Sequence, residues 1–65
     1  MRIEVNGERH DLAAKTVAEA LAELGWAEAR VATAVNGDFL PAAARADTAL
    51  KDGDRLEVLA PMQGG

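Results

Sequence analysis

The residues with chemistry to offer are few, and they gather at the end of the chain. The sequence closes on Pro61, Met62, Gln63, Gly64 and Gly65. The two glycines bring no side chains, so the only functional group at such a tip is the α-carboxylate of Gly65. An α-carboxyl with an ordinary pKa of about 3.3–3.7 is ionised near neutral pH. A carboxylate can attack the α-phosphate of ATP to give an acyl-adenylate, whose carbonyl is then open to a nucleophile. A side chain beside it would obstruct close approach, and glycine avoids this. The expected role is a carrier whose reactive atom is its own end, with Met62, Gln63 and Gly64 threading a narrow channel in a partner. Taken alone, a Gly-Gly end is equally a frayed terminus or the point at which a longer protein was cut.

The rest of the chain argues against an enzyme. There is no cysteine, serine or tyrosine to act as a nucleophile. Thr16, Thr33 and Thr48 each have structural work available. Asp52 and Asp54 are paired carboxylates, but they flank Gly53 in a turn, where turn chemistry and solubility are their usual roles. The single histidine, His10, cannot build a metal site alone, and no Cys-based site exists. No glycine-rich loop joins a strand to a helix to cradle phosphate. A domain this small leaves no room for a deep pocket. No catalytic residue, no metal and no bound cofactor are therefore expected.

Composition narrows the class further. Sixty-five residues make one domain at most, near the lower limit of independent stability. Eleven acids against seven bases give a net charge of −4, and aromatics are 3% of the chain. Such a chain lacks both the cationic field and the stacking rings that nucleic acid requires. No apolar run approaches the roughly 20 residues of a membrane span. The opening "MRIEVNGE" is already strand-like and not a secretory signal. The expectation is a cytoplasmic protein, monomeric when free.

The elements that must position the tip follow from local patterns. Ile3 and Val5 alternate with polar neighbours, Asn6-Gly7 marks a type I′ hairpin, and Glu8 to Leu12 returns as an edge strand with His10 opposite Ile3. Thr16 and Glu19 form a capping box, and Val17, Ala20, Leu21 and Leu24 share one helical face. Gly25 closes that helix, and Trp26 packs back on its last turn near Leu21. Val31, Thr33 and Val35 line one face of a second strand. Ala32 and Ala34 line the other, where their small size would let a helix lie close. Asn36-Gly37 turns this strand into Asp38–Leu40, and Pro41 keeps the return strand short or at an edge. One helical turn is expected over residues 42–46 and a brief strand over residues 48–50. After the Asp52-Gly53-Asp54 turn, a last strand places Leu56, Val58 and Ala60 on the core face and Leu59 opposite. A right-handed crossover would set the third strand parallel to a neighbour. These elements make an α+β fold: a mixed sheet of four to five strands packed on one main helix.

In "IEVNGE", "TVAEALAELG", "VATAVNGDFLP" and above all "LKDGDRLEVLAPMQGG", the chain resembles the ubiquitin-like β-grasp proteins that end in Gly-Gly. Among these it is most similar to the ThiS family, the sulfur carriers of thiamine biosynthesis. The similarity covers nearly the whole chain. It departs at Ala46, where many family members have an aromatic residue. The resemblance implies a β-grasp domain over residues 1–60 and a flexible tail over residues 61–65. It implies that an E1-like enzyme adenylates Gly65 with ATP, and that persulfide sulfur from a cysteine desulfurase displaces AMP to leave a thiocarboxylate. Thiazole synthase would consume that sulfur, building the thiazole ring from a deoxyxylulose phosphate and an oxidised glycine unit. Related readings are a sulfur carrier for molybdopterin or amino acid synthesis, or a ubiquitin-like protein modifier. A tail in a channel also needs a docking face beside it. Phe39, Leu40 and Leu59, with Met62, are the candidates; the alternative is that Phe39 and Leu40 fill the core and Leu59 stands alone.

Overall fold

The computed structural model describes residues 1–27 and 30–60. Two asparagine–glycine turns organise it. Asn6 and Asn36 both take φ of 51°, and Gly7 and Gly37 take 86° and 88°. These are the positive values that type I′ hairpins demand. The first turn joins β1 (Arg2–Val5) to β2 (Glu8–Asp11), with Ile3 opposite His10 as expected. The second joins β3 (Ala32–Val35) to β4 (Asp38–Leu40).

Between the hairpins lies α1 (Val17–Glu23). Its capping box is complete. Thr16 Oγ1 accepts from the Glu19 N–H at 3.2 Å, and Glu19 Oε1 accepts from the Thr16 N–H at 3.3 Å. At the other end Gly25 takes φ of 91°, the Trp26 N–H reaches the Leu21 carbonyl at 2.7 Å, and the Gly25 N–H reaches that of Ala22 at 3.1 Å. That pair of bonds is a Schellman close, which satisfies carbonyls the helix itself cannot. The carboxylate of Glu23 receives the N–H groups of Ala13 and Ala14, which ties the loop after β2 to the helix.

A 3-10 helix (Ala42–Asp47) follows β4, and β5 (Arg55–Leu59) completes the sheet. The strand order is β2-β1-β5-β3-β4, so the last strand fills the centre. This corrects the expected placement of the parallel pair. β3 lies antiparallel to both its neighbours, and the parallel pairing joins β1 to β5. The brief strand expected over residues 48–50 is a single bridge from Thr16 to Ala49.

The core lies between α1 and one face of the sheet. Ile3 and Val5 of β1, Leu56 and Val58 of β5, and Val17, Ala20 and Leu21 of α1 are buried, joined by Leu12, Ala14 and Leu50. On β3 the inward residue is Thr33, with Val31 and Val35 half-buried against the core. The small face of β3 therefore points away from the helix, contrary to expectation. Alternation assigned two faces correctly, but both were apolar enough to be the buried one. Thr33 is satisfied in place: Oγ1 donates to the Leu40 carbonyl at 2.9 Å and accepts from Arg45 Nε at 3.0 Å. Ala60, expected on the core face, is exposed.

Candidate functional site

The described part of the site is β5 and whatever holds it, since residues 61–65 follow in sequence one residue after this strand. Met62, Gln63, Gly64 and Gly65 themselves lie outside the described residues. The strand is gripped at both ends by the asparagines of the two hairpin turns. At its start the Arg55 N–H donates to Asn36 Oδ1 at 2.9 Å, and the Asn36 N–H donates to the Arg55 carbonyl at 2.8 Å. Near its finish Asn6 Nδ2 donates to the Val58 carbonyl at 3.0 Å, and Oδ1 accepts from the Val58 N–H at 2.8 Å. Each asparagine thus serves twice: its backbone makes the turn and its side chain clasps the central strand. The turn signal was readable in the sequence, but the second role depends on which strand passes beside the turn.

Asp54 also departs from the expectation of a solvated turn residue. It is 8% exposed. One carboxylate oxygen accepts from Asn36 Nδ2 at 3.1 Å and the other from the Lys51 N–H at 2.8 Å. Burial pushes its pKa up, but the Lys51 N–H, the Asn36 amide and the Lys51 charge together outweigh this and hold it below the ordinary value. A carboxylate depressed in this way stabilises the fold above its unfolded pKa, about 3.9, and that contribution fades as pH falls through the folded value. Asp54→Asn is therefore expected to destabilise the protein at pH 7, and the gap to wild type should narrow by pH 3. Urea denaturation of both proteins at the two pH values measures this, and a gap that widens in acid would contradict it. Asp52, by contrast, remains in the turn and accepts the Arg2 N–H at 2.7 Å. Thr16 caps α1, and Thr48 Oγ1 donates to the Ala44 carbonyl at 2.7 Å, so the three threonines are structurally engaged.

The outer face of the sheet carries the exposed apolar side chains. Phe39 is 71% exposed and Leu59 67%. Phe39 stands opposite Ala34, which stands opposite Glu57, and Leu59 stands opposite Ala32. All lie on the face away from α1. The structure separates the three proposed docking residues. Phe39 is not core, while Leu40, one position along β4, turns inward and packs partly buried against the core. A shallow groove lined by Arg30, Val31, Ala32, Leu59 and Ala60 runs beside the point where the chain leaves β5. Further along, the same face becomes charged, with Glu4 between Arg9 and Arg55 in register. Among the described residues no helix is long and apolar enough to cross a membrane.

A mixed five-stranded sheet that clasps one helix, with its last strand at the centre, defines the β-grasp class of proteins. Comparison with known proteins narrows the class. The ThiS family model matches residues 3–65. The chain is 41% identical to the sulfur carrier protein ThiS of Thermus thermophilus, over 94% of this chain and 95% of that protein. It is 38% identical to a thiazole synthase of Paramagnetospirillum magneticum over its whole length, which spans only 20% of that protein. The crystal structure of the thiamine biosynthesis protein ThiS from Geobacter metallireducens superimposes with a TM-score of 0.83 at 38% identity, covering all of both chains. A solution structure of a thiamine biosynthesis protein from the same organism gives 0.78 at 35% identity, over 100% of this chain and 88% of that one. The chain belongs to the ThiS family.

Proposed function

We propose that this chain is a cytoplasmic sulfur carrier of thiamine biosynthesis whose terminal carboxylate is the working group. The observation that carries the reading is the reach of the family match, which runs through residue 65 and so includes the terminal Gly-Gly. In this reading residues 61–65 are the tail that a partner engages, beyond a domain of residues 1–60. An E1-like enzyme supplies ATP. A Gly65 oxygen attacks the α-phosphorus, pyrophosphate leaves, and an acyl-adenylate forms. The terminal sulfur of a persulfide derived from a cysteine desulfurase attacks the carbonyl and expels AMP. A second partner thiol then attacks the cysteine sulfur of the resulting acyl disulfide, forming a disulfide between the two partner thiols and releasing the thiocarboxylate. The sulfur passes to thiazole synthase. Support for that partner comes from the protein named for this activity in which one fifth of the chain resembles the whole of this one.

The test is an intact mass after incubation with ATP and a sulfur source in extract of the host. A gain equal to one oxygen exchanged for sulfur, located at Gly65, is expected. An unchanged mass, in an extract that activates a known carrier, would overturn the reading.

Phe39 and Leu59 serve in this proposal as the docking face, with the groove that Leu59 and Ala60 help to line next to it. Leu59→Glu places a charge where 67% of the side chain is already in water, so stability should change by no more than about 0.5 kcal/mol. The carrier's apparent KM with the adenylating enzyme should rise about tenfold, equivalent to ~1.4 kcal/mol of docking. Steady-state adenylation alongside a thermal melt measures both. A folded variant with an unchanged KM would contradict the docking role.

A further inference from the structure

β1 ends too early for the strand beside it. Its ladder with β5 runs from Glu4↔Arg55 to Val5↔Leu56, and the Asn6 N–H adds a last bond to the Leu56 carbonyl at 3.1 Å. Successive residues of a central strand turn their backbone groups to alternate neighbours. Leu56 faces β1, so Val58 faces the same side, where β1 has already turned away at Asn6-Gly7. Val58 is 5% exposed, and buried N–H and C=O groups without partners are costly. The Asn6 side chain replaces the missing strand, since one primary amide offers the same donor and acceptor pair as a peptide group. It bonds both backbone groups of Val58. This bond pair lies two residues before Ala60, the last described residue ahead of the tail.

We infer that Asn6 is a positioning residue for the end of β5: its amide anchors the strand just ahead of Ala60, and so fixes the point from which a partner must take up the chain. The inference rests on the carrier reading. When the strand end frays, only a fraction of molecules presents the tail base in a geometry the activating enzyme accepts, and apparent affinity falls by that fraction. The chemical step after docking is unaffected. Asn36 provides an internal control. It has the same φ of 51°, but its side chain accepts only the Arg55 N–H, at the far end of the same strand, and its amide nitrogen donates to Asp54 instead.

Asn6→Gly and Asn36→Gly each keep a residue that favours positive φ and remove only the side-chain amide. The full chain is used, with hydrogen exchange at Val58 and Leu59 and steady-state adenylation by the E1-like enzyme as the readouts, all well below the melting temperature. Asn6→Gly is expected to speed exchange at Val58 about tenfold, the loss of a strand-end bond pair. It should raise the carrier's apparent KM about fivefold with kcat within about twofold, the pattern of a reduced competent fraction. Asn36→Gly should leave exchange at Val58 and the KM near wild type, even if the two variants melt at the same temperature. Equal KM changes in both variants, or a loss confined to kcat, would overturn the positioning role. Should Asn6→Gly fail to fold, Asn6→Asp, which keeps the acceptor for the Val58 N–H and loses the donor to its carbonyl, is judged by the same criteria. Wild-type protein that is not adenylated at all overturns the carrier reading and this role with it. That failure is distinct from one in which the wild type is adenylated and both variants match it, which overturns the positioning role alone.

Discussion

Deleting Gly65 is expected to abolish thiocarboxylate formation and to leave the melting temperature unchanged. Among the described residues the buried cluster runs from Ile3 to Val58, and the deletion leaves all of it in place. What is removed is reach. Without Gly65 the terminal carboxylate belongs to Gly64, one residue short, and an extended residue spans about 3.3–3.6 Å. Misplacing a reacting group by only ~1 Å can cost on the order of a hundredfold in rate. A shortfall several times larger should take adenylation below detection. Intact mass after ATP and sulfur treatment, paired with a thermal melt, measures both halves of the expectation. A shortened chain that still supports thiazole formation would dispose of the terminal-carboxylate mechanism, whatever its stability.

The second large effect has the opposite origin. Leu56 is fully buried in the central strand, with β1 on one side and β3 on the other. Leu56→Ala should cost about 2–5 kcal/mol, combining lost transfer free energy with the cavity left behind. A domain of this size has roughly 3–10 kcal/mol in total, at about 0.05–0.15 kcal/mol per residue. The variant should therefore lose a large share of that total, enough to unfold it at room temperature where the cost is high and the total low, and any loss of carrier activity should track the loss of fold. Urea denaturation gives the number, and a loss below about 1 kcal/mol would show that the site collapses around the gap. Together the two variants separate chemistry from architecture: one is folded and inert, the other keeps its terminus on a weakened scaffold.

Much of this architecture was legible in single residues. Asn-Gly at 6–7 and 36–37 announced both hairpins because few other pairs accept two positive φ values. Thr16 with Glu19 marked where the helix begins, and Gly25 with Trp26 where it ends, because each motif satisfies particular orphan groups. Strand order was not legible, since no local pattern says that residues 55–59 slide between β1 and β3. The clasping role of Asn6 and Asn36, and the burial of Asp54, were hidden for the same reason. Each needs a neighbour that only the assembled sheet supplies. The facing of β3 was ambiguous because valine and alanine are both apolar. Phe39 defied the usual tendency of aromatic rings to lie inside, and its exposure became visible only when its register with Ala34 put it on the outer face.

The central place of β5 also governs how the molecule is made. Until residue 59 is in position, β1 and β3 each have a bare edge facing the gap, and unpaired edges of this kind invite pairing with other chains. The two hairpins can form early from local contacts, but closing the sheet requires bonds such as Asn6 to Val58, which are 52 residues apart. Contacts of that separation slow folding relative to chain length. A newly synthesised chain therefore carries both hairpin segments before it carries the strand that joins them. Crowding or delay at that moment would show as aggregation during synthesis, even in a protein whose finished form is stable.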